Sequence, residues 1–355
     1  MGAATLTTKT VAICTVQVPF TRGGAEALVE NLREAFLARG YQAEVVALPF
    51  KWYPPKEIIR NVLAWRLMDL SEANSVPIDL VVAMKFPAYC VDHPRKVVWL
   101  MHQHRAAYEL WGTEFCDLAN HADGDQVREL IVSCDHRFLR QARHIFTLSH
   151  QVSGRLLRYN AIASEPLYHP PPGAERITEG DFGDTVFFPS RLDLMKRQRL
   201  LVEAMRHVKT SARCVIAGSG PAAEDLAEAV DRLSLGPRVE LTGFISDEER
   251  LRHLAECSAV FFAPYQEDYG YVTLEAFLAG KPVITTEDAG GPLEFVTHGE
   301  DGFVVAPQPK AVARAIDELF RDRDRAFAMG QRGREKLRRM DLSWDHVIDR
   351  LVNAS

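Results

Sequence analysis

Two glutamates eight positions apart, Glu267 and Glu275, are the residues of this chain best suited to chemistry. An apolar run at 259–263 predicts a buried strand, and a polar loop with one glycine leads from it into a predicted helix at 272–279. Such a unit directs the first amides of the helix, which carry partial positive charge, at the space beyond the strand. Amides that hold a diphosphate, beside carboxylates that accept from hydroxyls, suit a sugar nucleotide. The alternative is that Glu267 is a solvated loop residue and that Glu275 favours the helix dipole from the first turn.

A basic pair precedes this unit in the sequence. Arg191 follows the predicted strand 185–189, and Lys196 comes five residues later, before the next helix. A pyrophosphate leaving group needs its charge neutralised. Where no metal is bound, the forked guanidinium of an arginine and the point charge of a lysine can do this. A solvated basic loop is the alternative for the pair alone, but beside the two glutamates we favour a phosphate site.

Histidines follow a strand in the first half of the chain. The apolar run 97–101 ends in His102, with His104 two positions on and Arg105 next. A neutral imidazole could hydrogen-bond a sugar hydroxyl, and a nearby group could share in deprotonating an acceptor. His-x-His is also a spacing of metal ligands, but no third ligand follows at a credible spacing. A histidine whose bonds are satisfied within the fold is the remaining alternative.

Composition places these residues in an ordinary globular protein. The length of 355 residues predicts about two domains, and the net charge of −6 argues against a general nucleic-acid binder. The six cysteines are scattered without a C-x-x-C pair, which predicts reduced core residues of an intracellular protein. Residues 1–9 are polar and small, and no apolar run reaches the roughly 18 residues that span a bilayer. We therefore expect a cytoplasmic protein.

Strands alternate with helices in both halves, which predicts two parallel sheets covered by helices on both faces. A proline run at 165–173 cannot continue a helix or a central strand, and we take it as a hinge. The predicted domains are 1–168 and 169–340, with a C-terminal helix at 341–355 that packs back on the body. Two doubly wound, Rossmann-like domains of this kind would face each other across a cleft at the strand carboxyl ends, where open α/β sheets bind ligands. The predicted strands are 11–16, 43–48, 79–84, 96–101 and 144–148, then 185–189, 213–217, 239–242, 259–263, 282–285 and 302–305.

The order of several short motifs makes the second half resemble a known family. S-R-L-x-x-x-K-R with Arg191 and Lys196, the glycine turn 217–221, L-T-G-F at 241–244 and the E-x7-E pair fall in order at strand ends. This array resembles the retaining nucleotide-sugar glycosyltransferases of family 4, which have the two-domain GT-B fold. The likeness covers 185 to about 305. The first half resembles the family more loosely, through Gly23-Gly24-Ala25-Glu26 and the hinge.

The resemblance implies a role for each matching residue. Arg191 and Lys196 would hold the donor diphosphate. Glu275 would accept from the ribose hydroxyls, Glu267 would contact the donor sugar, and His102 would lie beside the reacting sugar. Gly218 would lie near the nucleotide, and Gly243, Phe244 and Ile245 would line the base. The amides of Tyr271, Val272 and Thr273 would face the phosphates or the sugar, and Gly23 and Gly24 would border the diphosphate or an acceptor phosphate. His104 is the second choice to His102, and Arg105 would help hold an anionic group. A tight strand-to-helix turn also explains the glycine pair.

Two other motifs partly match a metal site and a nicotinamide site, and we discount both. Asp123-Gly124-Asp125 has the carboxylate spacing of a metal-bound nucleotide site, but a turn and a helix N-cap explain it. Gly218-Ser219-Gly220 lacks the third glycine of the dinucleotide fingerprint. We therefore expect neither a cofactor nor a required metal.

The residues and the resemblance together predict a hexosyltransferase of polysaccharide biosynthesis, and the resemblance implies that it retains the anomeric configuration. It would move a sugar from a UDP- or GDP-linked donor to an acceptor hydroxyl on a glycan, a lipid-linked sugar or a small molecule, with no nucleic-acid partner. The segment 58–68, apolar on more than one face, predicts an acceptor-side or membrane-leaning helix, which would place the protein peripherally at the inner membrane face. The alternatives are a nucleotide-sugar 2-epimerase of the same fold and a non-catalytic nucleotide-binding partner of another transferase.

Overall fold

The computed structural model describes residues 9–355 and divides them into two compact units. The first unit comprises 9–172 together with 343–355, and the second comprises 173–342. Of the polar segment 1–9, all residues except Lys9 lie outside the described part of the chain. Within 9–355, no helix combines the length and apolar character needed to cross a bilayer.

The first unit is built on a parallel sheet. Its elements in chain order are β1 (Thr10–Gln17), α1 (Gly24–Ala38), β2 (Gln42–Pro49), α2 (Lys56–Leu67), β3 (Glu72–Ala73), β4 (Val76–Pro77), β5 (Leu80–Ala83), β6 (Lys96–Leu100), α3 (Gly124–Phe138), β7 (His144–Thr147), α4 (His150–Asn160) and β8 (Glu165–Pro166). Six strands form the sheet in the order β2-β1-β5-β6-β7-β8, and every adjacent pair runs parallel. The strands β5 and β6 are buried throughout, as expected for strands covered on both faces.

The second unit repeats this plan. Its elements are β9 (Thr185–Pro189), α5 (Gln198–Met205), β10 (Arg213–Ala217), α6 (Ala223–Arg232), β11 (Val239–Gly243), α7 (Asp247–Glu256), β12 (Ala259–Phe261), α8 (Tyr271–Leu278), β13 (Val283–Thr286), β14 (Gly302–Val305), α9 (Pro309–Arg321) and α10 (Arg323–Arg339). The parallel sheet has the order β11-β10-β9-β12-β13-β14. The prediction of two doubly wound α/β units is therefore confirmed.

The last helix, α11 (Trp344–Asn353), belongs to the first unit, as predicted for a helix that packs back on the body. Its apolar face buries Val347, Ile348 and Leu351. The centre of the Trp344 ring lies 6.4 Å from that of Trp99 on β6. The imidazole of His169 lies 5.2 Å from the Trp99 ring and 6.1 Å from the Trp344 ring. All six cysteines are free, and five of them are buried, as expected for core residues.

Three local expectations need correction. The proline run does not begin as a free connection, because Glu165–Pro166 forms the edge strand β8 beside β7. The short antiparallel hairpin of β3 and β4 was not predicted. The mixed charges of segment 321–325 predict a solvated face, but the guanidinium of Arg323 donates to the Phe182 carbonyl and to the Ser258 hydroxyl.

Candidate functional site

The predicted donor residues gather at one edge of the second sheet. Since all its strands are parallel, the carboxyl ends of β9, β10, β11 and β12 meet at the same edge. The loop after β9 carries Arg191 and Lys196, the loop after β10 carries Gly218, and the loop after β12 carries Glu267, while Gly243 is the last residue of β11. The structure therefore brings these residues to one edge, and their role in binding a donor stays a prediction.

Lys196 and Glu267 form the central contact of this edge. The Lys196 Nζ donates to Glu267 Oε2 at 2.6 Å, and both side chains are about three-quarters buried. The same ammonium lies 5.6 Å from the centre of the Phe262 ring. Lys196 ends a single 3₁₀ turn whose N-cap, Asp193, accepts from the Lys196 amide at 3.1 Å. Arg191 differs, because its side chain is 60% exposed and its Nε lies 3.9 Å from Asp193 Oδ2.

The loop that carries Glu267 is held by the segment after β13. The Glu267 amide donates to the Ala289 carbonyl at 2.7 Å, and the Glu267 carbonyl accepts from the Gly291 amide at 2.8 Å. Gly290 has φ +79°, and a Cβ there would lie 2.6 Å from the Glu267 carbonyl oxygen. Two backbones therefore approach at a position that only glycine fits. Sequence reasoning missed these residues, although the consecutive glycines before Pro292 were a visible signal.

An ion pair fixes the same segment from the other side. Arg197 donates to both carboxylate oxygens of Asp288, at 2.9 Å and 2.6 Å. Arg197 has φ +57°, and Asp288 also accepts through its carbonyl from the Gln266 amide at 3.0 Å. The pair therefore connects the Lys196 turn to the Glu267 loop. Arg197 stood in the predicted motif, but its partner 91 residues later was not foreseen.

Gly218 lies where two loop backbones cross. Its φ is +144°, and a Cβ there would lie 1.9 Å from the Ser190 carbonyl oxygen. Gly220 meets the Leu192 carbonyl oxygen in the same way, at 2.1 Å. These contacts explain both glycines within the fold, and an approach of nucleotide to Gly218 stays a prediction. At the end of β11, the Gly243 carbonyl accepts from the Gly218 amide at 2.8 Å. In the loop that follows, Phe244 is 83% exposed and Ile245 is half-buried.

Glu275 is buried and paired, which the sequence did not show. The side chain of Glu275 is 11% exposed, and its Oε2 lies 3.0 Å from Arg250 Nη1 on α7. Burial raises the pKa of the Glu275 carboxyl, and the adjacent Arg250 lowers it. Arg250 also donates to Asp247, with 2.7 Å between Nη2 and Oδ1. Glu275 is the fifth residue of α8, so the interpretation of Glu275 as a first-turn glutamate was wrong.

The N-cap of α8 is Gly270, which has φ +91°. The amide of Thr273 donates to the Gly270 carbonyl at 3.0 Å and is therefore already engaged. The Thr273 hydroxyl is buried and has no hydrogen-bond partner within the described chain. The three predicted amide positions are thus not equivalent.

In the first unit, the glycine pair precedes α1. Gly23 is the N-cap in an extended conformation, and its amide donates to Glu26 Oε2 at 2.9 Å. The buried Lys85, which sequence reasoning missed, places its Nζ 3.5 Å from Glu26 Oε1. Gly23 and Gly24 are both exposed at the carboxyl end of β1. The glycine turn is therefore accessible, but its first amide is already engaged.

His102 and His104 follow β6 but have different surroundings. His102 is half-buried, and its Nδ1 lies 2.7 Å from the Gln103 carbonyl oxygen. The Nε2 of His104 is buried without a hydrogen-bond partner in the described chain, and burial lowers the pKa of this imidazole to about 4. The side chain of Arg105 pairs with Glu109, which also binds Arg155 at 2.6 Å. Arg105 is therefore already matched by a carboxylate.

Within residues 9–355, no group of three or more histidine, cysteine, aspartate or glutamate side chains is arranged to hold a metal ion. Asp123 occupies the N-cap position of α3, as predicted, but its side chain makes no capping hydrogen bond. Whether donor binding needs a metal stays a prediction.

The sequence of the second unit matches a known protein family. Residues 178–336 match the model of the family described as glycosyl transferases group 1. A GDP-mannose-dependent alpha-(1-6)-phosphatidylinositol monomannoside mannosyltransferase of Mycobacterium tuberculosis is 36% identical over 181 residues, which are 48% of this chain and 46% of that protein. An alpha-1,3/1,6-mannosyltransferase of Homo sapiens is 32% identical over 115 residues, 32% of this chain and 27% of that protein. The chain thus spans less than half the length of the curated relatives it matches.

Solved structures match over nearly the whole chain. Sucrose-phosphate synthase from Thermosynechococcus elongatus superposes with a TM-score of 0.76 at 19% identity, covering 98% of this chain and 100% of that one. An Anabaena protein, HepE, solved in complex with UDP and glucose, gives a TM-score of 0.70 at 18% identity, covering 97% and 98%. At these identities the likeness shows the fold alone. Together, the family match and these structures confirm the predicted resemblance and the GT-B class.

Proposed function

We propose that this chain, whose residues 178–336 match the model of the glycosyl transferases group 1 family, transfers a sugar from a nucleoside diphosphate sugar to an acceptor hydroxyl. The observation that carries the proposal is the pair of opposed contacts at one sheet edge, Lys196 with Glu267 and Arg250 with Glu275. Each places a cation beside a carboxylate, so the edge offers both charges that a sugar diphosphate needs. The family match of residues 178–336 supports the same assignment.

Lys196 and Arg191 would stabilise the departing diphosphate. In the absence of ligand, Lys196 is matched by Glu267 at 2.6 Å, and Arg191 extends into solvent. A bound diphosphate adds negative charge beside Lys196, and the exposed fork of Arg191 can close on it in two hydrogen bonds. The amides of Tyr271 and Val272 at the start of α8 supply further partial positive charge. These groups act where charge develops as the bond to the sugar breaks.

The two glutamates would orient the donor. Glu267 lies beside the lysine that holds the phosphates, so its second oxygen can accept from a hydroxyl of the transferred sugar. Glu275, whose pKa is raised by burial and lowered by the adjacent Arg250, can accept from the ribose hydroxyls in its ionised form. The rigid backbone around Gly290 and the Arg197–Asp288 pair keep Glu267 in position without a ligand.

We further propose retention of anomeric configuration, with His102 beside the reacting sugar and the acceptor attacking from the face that the diphosphate leaves. No side chain of the described edge stands out as a covalent nucleophile. The donor base is uridine or guanosine: the Mycobacterium relative is named for GDP-mannose, and the Anabaena structure holds UDP. The acceptor would be a glycan, a lipid-linked sugar or a small molecule, and neither a cofactor nor a metal would be needed.

The proposal is tested by incubating the full chain with UDP- and GDP-linked hexoses, with and without candidate acceptors. Released nucleotide is measured by chromatography, and the anomeric configuration of the product is determined by NMR. Lys196→Ala and Glu267→Ala should each lower turnover at least a hundredfold, while Lys310→Ala, an exposed lysine on α9, should leave it unchanged. Unchanged turnover in the first two variants would refute the assignment.

The same experiment separates the two alternatives. A 2-epimerase of this fold would convert the donor without any acceptor. Detection of the epimeric sugar in reactions without acceptor would show this. A non-catalytic partner would bind nucleotide without turnover under any of these conditions.

Membrane association is a separate proposal. On α2, Ile58, Val62 and Trp65 face the interior of the first unit, while Leu63 and Leu67 are 54% and 83% exposed. We propose that this exposed side leans on a lipid surface that carries the acceptor. Sedimentation with anionic vesicles at low salt tests it, because failure to bind would exclude the membrane version and leave the transferase unaffected.

A further inference from the structure

A buried polar cluster lies directly beneath the His102 loop. Its members are Tyr89, Gln103, Tyr108, Asp135 and Asn160, and none of them is more than 4% exposed. Burying five polar side chains costs stability unless each of them is hydrogen-bonded. The role proposed above for His102 does not by itself account for this cluster.

Burial raises the pKa of Asp135 to about 7, and when this carboxyl is ionised the hydrogen bonds of the cluster have a single direction. Asp135 accepts from both phenols, with 2.6 Å from Tyr108 Oη to Oδ2 and 2.6 Å from Tyr89 Oη to Oδ1. Because Tyr108 gives its proton to Asp135, its oxygen is left to accept, and Asn160 Nδ2 donates to it at 3.2 Å. This sets the orientation of the Asn160 amide, whose Oδ1 accepts from Gln103 Nε2. The chain of bonds thus runs from Gln103 to Asp135 without a conflict.

The end of this chain controls the imidazole of His102. The Gln103 carbonyl oxygen lies 2.7 Å from His102 Nδ1, and a carbonyl can only accept. The proton of the neutral ring is therefore on Nδ1, and the lone pair is on Nε2. Anchoring the Gln103 side chain holds the peptide that selects this tautomer.

We propose that Tyr108, held by Asp135, is a positioning residue for His102, acting through Asn160 and Gln103 to keep the His102 tautomer whose Nε2 accepts from a hydroxyl. This inference rests on the proposed function, in which His102 lies beside the sugar. Tyr108 also hydrogen-bonds the Gln103 side chain itself, whereas Tyr89 binds the other oxygen of the Asp135 carboxylate and is connected to Gln103 through it. Tyr89 therefore provides a matched control for the loss of a buried phenol hydroxyl.

The first test is a double-mutant cycle between Tyr108→Phe and His102→Ala, measured as kcat and KM for the donor. Tyr108→Phe should lower kcat on the order of tenfold with little change in KM. In the His102→Ala background the same change should lower kcat less than twofold. Tyr89→Phe should stay within twofold of wild type. Multiplicative losses in the double variant, or equal losses from the two phenols, would show a merely structural cluster and overturn the proposal.

The second test needs no activity. ¹⁵N-histidine NMR distinguishes the two neutral tautomers, and the signals missing from a His102→Gln sample identify His102. The wild type should show a protonated Nδ1, while Tyr108→Phe should show a mixture of tautomers. Gln103→Met, which keeps the carbonyl but removes the side-chain amide, should have the same effect and serves if Tyr108→Phe does not fold. A single unchanged tautomer in either variant would refute the proposal, even if the chain transfers no sugar and the proposed function fails.

Discussion

Replacing Arg250 by methionine should make nucleotide binding depend on pH. Arg250 Nη1 is the cation 3.0 Å from Glu275 Oε2, and Glu275 is nearly inaccessible to water. Burial raises the pKa of this carboxyl, Asp247 raises it further, and Arg250 opposes both. Without the guanidinium, the carboxyl would be neutral over a wider range of pH.

The size of the effect follows from the hydrogen bonds that Glu275 would make. A hydrogen bond to a charged group contributes about 1.5–3 kcal/mol, against about 1 kcal/mol for a neutral one. If Glu275 accepts from the ribose hydroxyls, its neutralisation should weaken nucleotide binding roughly ten- to a hundredfold near pH 7. Raising the pH should restore part of the affinity in the variant, because the carboxyl ionises again.

Titration calorimetry with UDP and GDP between pH 6.5 and 9 measures this directly. Arg252→Met, an exposed arginine two positions along α7, provides the control and should bind as wild type does. A 2′,3′-dideoxy nucleotide should bind equally to wild type and Arg250→Met, since it lacks the hydroxyls. Equal affinity of the variant for the ribonucleotide at every pH would refute the role of Glu275 and Arg250.

Three further predictions concern the surroundings of the site. Gly218→Ala should destabilise the second unit by about 1–3 kcal/mol and abolish nucleotide binding, because the added methyl would lie 1.9 Å from a carbonyl oxygen. The control Gly236→Ala, whose methyl would meet nothing within 4 Å, should change neither property. Thermal unfolding measures the stability of both variants, and calorimetry measures their nucleotide binding. Arg197→Lys should lower turnover about tenfold, since a lysine cannot hold Asp288 in two bonds, and steady-state kinetics equal to wild type would contradict this. When the pH falls from 6.5 to 4, the free energy of unfolding should fall by about 3 kcal/mol more in wild type than in His104→Gln. The reason is that His104 binds a proton below about pH 6.5 in the unfolded chain but only below about pH 4 in the folded one. Tryptophan fluorescence follows this unfolding selectively, since all five tryptophans lie in the first unit, and identical pH slopes would contradict it.

The elements of the second unit could be predicted closely from sequence. The strands β9, β10 and β14 have the predicted bounds, because buried parallel strands are short apolar runs that end at turn residues. Once parallel strands are assigned, their carboxyl ends must share an edge. The gathering of Lys196 and Glu267 therefore followed from local patterns.

The partners of the site residues could not be predicted in this way. Glu275 was placed on a helix, but its burial and its contact with Arg250 depend on how α7 packs beside α8. Glu267 was placed in a loop whose shape depends on Gly290, 23 positions later. Contacts between distant segments leave no period or spacing in the sequence, so only the tertiary structure reveals them.

The buried cluster around Asp135 shows the same limit in the first unit. The sequence drew attention to His102 because polar residues follow an apolar strand. Nothing local connects it to Tyr108, Asp135 and Asn160, which lie on different segments and meet only through the packing of α3 and α4. The hairpin of β3 and β4 was missed for another reason: its turn residues Asn74 and Ser75 both have positive φ without a glycine to announce it.

The most direct test of the account is calorimetric titration of the full chain with UDP and GDP, with and without magnesium, in wild type and Lys196→Ala. We expect one of the two nucleotides to bind wild type with the same affinity whether or not magnesium is present, and the variant to lose this binding. Absence of binding by both nucleotides, or binding that survives in Lys196→Ala, would contradict the proposed donor site.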